Sequence, residues 1–285
     1  MTATRRAARI GLYSFLILSA AFFAIPMLII VLTSLKTADE VRAGSIFELP
    51  SAPGLAAYAK AWSEACIGRS CTGIGTNFWN SVIITLLSTS ISLLLSSLNG
   101  FALALWGLRR AGWVLGLLLI GAFIPYQVMI YPLVRMFAMG GMHNTLGSIV
   151  TVHVLFGLPI LTLIFHNFYL SLPPELLKAA RVDGAGFFQI FGLIILPMSV
   201  NVLLVAAILS VTGVWNDYLL GLIFAGPKFQ PMTVSLNGLV GTQFGVPEYN
   251  VNMAATLLTA LPPLLLYLLA GKYFVRGVTA GAVKG

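Results

Sequence analysis

Asp217 poses the sharpest chemical question in this chain, because its carboxylate follows Trp215 and Asn216 inside a strongly apolar stretch. An unpaired charge is costly in such surroundings, so it must face a polar cavity, a partner or a membrane interface. Structural or gating work fits it, and so does direct contact with a polar ligand. Proton relay would need a second buried acid or a suitably placed histidine, and the sequence shows neither. His143, His153 and His166 are dispersed and read as packing or polar loop contacts, and no metal site is expected from them. Cys66 and Cys71, in the segment CIGRSC, either close a small disulfide loop in an oxidising compartment or remain free thiols. Phe123, Tyr126 and Gln127 offer ring faces and an amide that suit a solute route, with helix packing as the alternative.

A second segment, from Pro173 to Pro197, can do mechanical rather than covalent work. Pro173 and Pro174 are helix-start signals, Glu175 puts an anion in the first turn, and Leu176, Leu177, Ala179 and Ala180 favour helix. Asp183 and Gly184 end that helix. Phe187, Phe188, Ile190 and Phe191 then give an apolar surface before Pro197 introduces the next apolar run. The result is a short exposed helix and turn whose small Ala179, Ala180 and Gly184 allow close approach by a partner. No GxxxxGK[ST], GxSxG or HExxH pattern occurs, so the chain is expected neither to hydrolyse ATP nor to act as an enzyme.

These segments must be carried by membrane-crossing helices. Of 285 residues, 59% are hydrophobic and 8% charged, which excludes an ordinary soluble globule. Six spans are predicted near 11–34, 79–106, 112–133, 147–168, 199–222 and 252–271. The first follows Arg5, Arg6 and Arg9 and is too long for a usual signal h-region, so it is expected to stay as an uncleaved span with its amino terminus inside. Interior segments would hold ten Lys and Arg residues against six outside, the bias that orients membrane proteins. The net charge of +8 is scattered near span ends rather than gathered into an aromatic-laced patch, so no nucleic-acid partner is expected. The expected organisation is one transmembrane domain over 1–285, with a long exterior loop at 36–77 and an interior loop at 169–197.

The interior loop resembles the EAA loop of inner-membrane permeases of binding-protein-dependent ATP-binding-cassette importers. Ala179, Ala180, Gly184, Ile194, Leu196 and Pro197 match its spacing, and Pro174, Glu175, Leu176, Asp183, Ala185, Phe188 and Phe191 are similar to the carbohydrate-uptake subfamily. Lys178 departs from it, reversing the charge of the Glu common at that position, and Asn201 stands where many relatives have Pro. Asn80 and Ser81, Pro125 with Gln127 and Pro132, Trp215 to Asp217, and the tail VRGVTAGAVKG extend the resemblance to MalG-like permeases over nearly the whole chain. Segments at 58–66, 121–133 and 248–255 look most like glucose or mannose permeases.

This resemblance implies an all-α integral membrane protein with the type I importer permease fold, six transmembrane helices and a cytoplasmic coupling helix. It implies a bacterial inner-membrane location with both termini cytoplasmic and 36–77 periplasmic. The implied partners are a second homologous permease, two ATPase subunits that bind ATP and Mg2+, a periplasmic sugar-binding protein and membrane lipid, with no cofactor in this chain. Glu175, Lys178, Ala179, Ala180, Arg181, Asp183 and Gly184 become ATPase-docking candidates, joined by Arg276, Thr279 and Lys284 of the tail. Phe123, Tyr126, Gln127, Asn216 and Asp217 become substrate-path candidates. An importer for an oligosaccharide, polyol or glycerol 3-phosphate is the alternative within the class, and a stand-alone ion-coupled carrier the alternative outside it.

Overall fold

The computed structural model describes residues 3–68, 70–241 and 247–282, with side chains from Arg9 to Gly271 within those ranges. Arg5, Arg6, Arg69, Lys272, Arg276, Thr279 and Lys284, to which the sequence assigns topogenic or docking roles, have side chains outside the described residues. In chain order the helices are α1 (Ala3–Ser34), α2 (Ala38–Ala43), α3 (Ala56–Ser63), α4 (Gly75–Leu105), α5 (Ala111–Phe123), α6 (Tyr126–Met139) and α7 (Leu146–Leu170). They continue as α8 (Pro174–Val182), α9 (Phe187–Ile190), a π turn (Phe191–Ile195), α10 (Leu196–Met198) and α11 (Val200–Trp215). Then come α12 (Leu219–Phe224), a 3-10 turn (Pro227–Phe229), α13 (Met232–Gly241) and α14 (Tyr249–Ala282).

Among the described residues four unbroken helices are long and apolar enough to cross a membrane, and two bent pairs raise the number to six if each is one span. The expected third span is not a continuous helix. It stops at Phe123 and restarts at Tyr126 after a bend of 98°. Pro125 has no N–H to donate and disfavours helical backbone at Ile124, whose ψ of 124° is extended. A second bend, of 80°, separates α10 from α11 at Ser199. Pro197 weakens the ladder there, and the Ser199 hydroxyl turns to the Ile195 carbonyl and the Tyr169 hydroxyl, the latter at 3.3 Å. The segment 223–250, between the fifth and sixth expected spans, contains the end of α12, the 3-10 turn, all of α13 and the start of α14. The α13 helix is too short to span, so a search for long apolar runs passes over it.

The chain divides into two compact units, one of residues 1–76 and 235–260, the other of 77–234 and 261–285. In the first, the Lys60 ammonium pairs with the Glu248 carboxylate at 2.7 Å, and the Asn250 amide donates to the Lys36 carbonyl at 3.1 Å. These contacts fasten residues from α3 and the end of α1 to the start of α14. Thr37 caps α2 in a reciprocal box with Glu40, a TxxE pattern readable in the sequence. The Sγ atoms of Cys66 and Cys71 are bonded, closing a turn across which Ile67 and Ser70 exchange backbone hydrogen bonds. The apolar side chains of α1 from Ile10 to Leu28 are almost all exposed, as suits a helix whose surroundings are lipid or another subunit.

The second unit is organised around a polar, small-residue face of α4. Ser81, Thr85, Ser88, Thr89, Ser92 and Ser96 are all buried, at spacings that keep them on one side of the helix. Small side chains let neighbouring helices approach, and some of their hydroxyls bond across the contact. Thr89 accepts from Ser210 of α11 at 3.1 Å, and Ser96 donates to the Leu158 carbonyl of α7 at 3.4 Å. At Gly100 the approach of α7 leaves no room for a side chain, since an added Cβ would lie 2.7 Å from Phe165 Cβ. Asn80 and Ser81 hold the loop before α13. The Asn80 amide donates to the Lys228 and Gln230 carbonyls at 3.2 and 3.1 Å, and the Ser81 hydroxyl accepts from the Met232 N–H at 2.8 Å.

Candidate functional site

The α8 helix begins as its sequence dictates, with Pro174 in the first turn, where no intrahelical N–H bond is lost, and Glu175 beside it. It ends in a Schellman motif. The Ala185 N–H donates to the Ala180 carbonyl at 3.0 Å and the Gly184 N–H to the Arg181 carbonyl at 3.1 Å. Gly184 sits at φ 81°, the left-handed conformation that this motif requires and that only glycine adopts without strain. Its small size therefore has a backbone cause as well as the close-approach role expected from sequence.

The seven docking candidates do not share one face. Glu175, Lys178, Ala179, Asp183 and Gly184 are exposed, whereas Ala180 is 6% exposed and packs into an aromatic cluster with Phe101, Phe165, Tyr169, Ile190 and Phe191. Arg181 is exposed yet engaged within the chain. Its guanidinium lies over Trp106 at 4.8 Å, and its Nη2 lies 3.4 and 3.5 Å from the Leu105 and Trp106 carbonyls. Trp106 also meets Phe187 edge-on at 4.9 Å, and Phe187 packs against Phe101 at 4.8 Å. Helix α8 is thus seated on the carboxyl end of α4. Trp106 carries no signal in the sequence, because its partners come from a distant segment and no spacing rule links them. The four apolar positions of the loop likewise divide: Ile190 and Phe191 are buried, while Phe188 is 76% exposed.

The substrate-path candidates fall at two chain breaks. Phe123 and Gln127 flank the bend in the third span and are exposed. Tyr126, between them, is half-buried and packs on Phe156 at 5.8 Å, beside the cluster of Leu133, Ile149, Leu220 and Phe224. Asn216 is exposed at the end of α11. Asp217 turns inward, and its carboxylate accepts from the Gly221 N–H at 2.9 Å and the Leu220 N–H at 3.4 Å. It therefore satisfies free donors at the start of α12, where the helix dipole also favours an anion.

A histidine does stand beside this acid, contrary to the expectation that none was suitably placed. His153 Nε2 of α7 lies 3.9 Å from Asp217 Oδ2, with side-chain exposures of 7% and 13%. The sequence hides the pair because the two residues lie far apart in the chain, His153 on α7 and Asp217 in the break between α11 and α12. His153 also borders a cleft of about 240 Å³ between α7 and α11, lined further by Phe156, Leu209, Ser210 and Val214. Among the described residues no group of three His, Cys, Asp or Glu side chains could hold a metal ion.

A family model for the binding-protein-dependent transport system inner membrane component matches residues 96–280. A probable ABC transporter permease protein of Pyrococcus horikoshii is 40% identical over 178 residues, covering 62% of this chain and 64% of that protein's length. The melibiose/raffinose/stachyose import permease protein MelC of Bacillus subtilis is 33% identical over 288 residues, covering 98% of this chain and 100% of that one. In solved structures, a chain of a bacterial ABC transporter involved in the import of the acidic polysaccharide alginate superimposes with a TM-score of 0.80. It covers 96% of this chain and 99% of its own, and at 19% identity that likeness is one of fold.

Proposed function

The chain belongs to the family of binding-protein-dependent transport system inner membrane components, and we propose that it is one of two permease subunits of an ATP-driven sugar importer. The observation that carries this reading is α8, a nine-residue helix that exposes Glu175, Lys178, Ala179, Asp183 and Gly184 while anchoring Ala180 in the core. Such an element can fill a groove on an ATPase and pass its motion to the helices behind it. Two ATPase subunits bind ATP with Mg2+ and supply the energy, and a second, homologous permease completes the passage. A periplasmic binding protein delivers the sugar to the opposite side. Coupling then requires α8 to bind its ATPase differently in at least two states of the passage.

In this arrangement both termini and the 169–197 loop are cytoplasmic, and 36–77 is periplasmic, where Cys66 and Cys71 find oxidising conditions. Asp217 does structural and gating work by capping α12, and Phe123, Tyr126, Gln127 and Asn216 border the sugar route. The substrate is glucose or mannose, on the likeness of the segments at 58–66, 121–133 and 248–255 to such permeases. An oligosaccharide is the second reading, favoured by the full-length similarity to a melibiose/raffinose/stachyose import permease.

The test is ATP turnover by the copurified complex in nanodiscs, with its binding protein and a panel of glucose, mannose, melibiose, raffinose, maltose and glycerol 3-phosphate. Stimulation by glucose or mannose is expected. Stimulation by melibiose or raffinose alone would move the substrate to the oligosaccharides. Sugar uptake by this chain without ATPase subunits would replace the importer with a stand-alone carrier.

A further inference from the structure

The seven residues that the loop motif offers to a partner divide into an outward and an inward set, and the inward set ends on a side chain with an unusual position. Arg181 occupies the last turn of α8, yet its guanidinium reaches back over Trp106, immediately beyond the end of α4. It meets two kinds of group there. The Trp106 ring face attracts the cation at 4.8 Å, and the Leu105 and Trp106 carbonyls, at 3.4 and 3.5 Å, are the acceptors a helix leaves unpaired at its carboxyl end. A cation at that end is also favoured by the helix dipole.

We infer that Arg181 is a positioning residue for energy coupling, a strut that ties the docking helix α8 to the carboxyl end of α4 through Trp106. The inference rests on the importer reading above and deepens it. A partner that displaces α8 must carry α4 along only if the two are joined, and the joint has two parts. Ala180 and Phe187 make the apolar one, packing on Phe101 and Trp106. Apolar surfaces can slide over one another, since their attraction has no preferred direction. Arg181 supplies the directed part, because a planar guanidinium stacked on an indole and aimed at two carbonyls holds one register. The 31 residues of α4 carry the Ser and Thr face buried against neighbouring helices, so a shift at its cytoplasmic end reaches the packed centre of this unit. The exposed set on α8 grips the partner, and Arg181 transmits what the partner does.

The test uses the reconstituted complex and two readouts, ATPase subunits retained per permease and sugar imported per ATP hydrolysed. For Arg181→Ala the expected result is full retention of the ATPase subunits with the import ratio reduced roughly two- to tenfold. Trp106→Ala, which also removes the apolar contact to Phe187, should lose at least as much, and the double variant should be little worse than Trp106→Ala alone, because Arg181 acts through that ring. Arg181→Lys keeps the charge and disturbs folding least, and it should share the loss because an ammonium neither stacks nor spans two carbonyls as a guanidinium does.

Loss of the ATPase subunits in Arg181→Ala would overturn the inference and return this residue to the docking face. A wild-type import ratio in Arg181→Lys would overturn it as well, as would strictly additive losses in the double variant. A wild-type complex that retains no ATPase subunit would strike down the importer reading itself, and the strut with it, which separates the two failures.

Discussion

His153 Nε2 of α7 stands 3.9 Å from Asp217 Oδ2 at the start of α12, and both side chains are almost withdrawn from solvent. The acid is far from unpartnered. Its two oxygens take the Leu220 and Gly221 N–H groups, and the Thr233 hydroxyl donates to its backbone carbonyl at 2.6 Å. Asp217 thus joins three elements at the break after α11, and its burial is compensated by directed donors rather than by an ion pair at hydrogen-bond distance.

This arrangement predicts an order among Asp217 variants. Asn keeps one oxygen for the α12 donors, whereas Ala leaves both N–H groups without the side-chain acceptor. Asp217→Ala should therefore lower stability by about 0.5–2 kcal/mol, the usual range for a lost helix cap, and Asp217→Asn by clearly less. Thermal unfolding of the two variants in the same detergent gives the comparison. Equal losses would mean that the charge facing His153, rather than the cap, is what the site needs.

What could be read in advance was local chemistry. Pro174, Glu175, Asp183 and Gly184 mark the ends of α8 by short-range rules, and the structure places that helix at Pro174–Val182. The break in the third span has a local signal, since Pro125 disfavours regular helix at Ile124, but a rule based on apolar length runs straight through it. Polar face and partner identity were not legible. Whether Ala180 or Lys178 faces the core depends on where α8 rolls against Phe101 and Trp106, and pairs such as Arg181 with Trp106 or His153 with Asp217 are set by tertiary packing between distant segments.

The loop before α3 carries a pH dependence with a definite sign. The Ser51 hydroxyl, followed by the Thr37 and Ser51 backbone N–H groups, holds the Glu40 carboxyl down at about 2 from an ordinary 4.5. A carboxyl depressed in the folded state contributes its full stabilisation above its unfolded value and loses it as pH falls through the folded one. Protection of residues 37–51 against hydrogen exchange, compared with Glu40→Gln at each pH, should therefore narrow from about pH 4.5 down to about pH 2. A difference between the two proteins that stays constant across that window would show that the charged form is not what orders the loop.

Gly184 separates backbone strain from docking, because the two respond differently to the size of the replacement. At φ 81° any L residue is strained, by about 1 kcal/mol for Ala and less for Asn, which tolerates this region better. Apart from Gly184 and its two chain neighbours, no atom of the described residues lies within 4 Å of the position a Cβ would take, so even a large side chain adds little internal clash to that strain. Gly184→Ala and Gly184→Trp should then unfold at similar temperatures, with Gly184→Asn slightly above them. Copurification of the ATPase subunits should diverge, retained with Ala and Asn but lost with Trp, whose ring projects from the exposed end of α8. If Gly184→Trp holds its ATPase subunits as well as Gly184→Ala, the carboxyl end of α8 is not part of the docking face, and the contact must lie nearer Glu175 and Lys178.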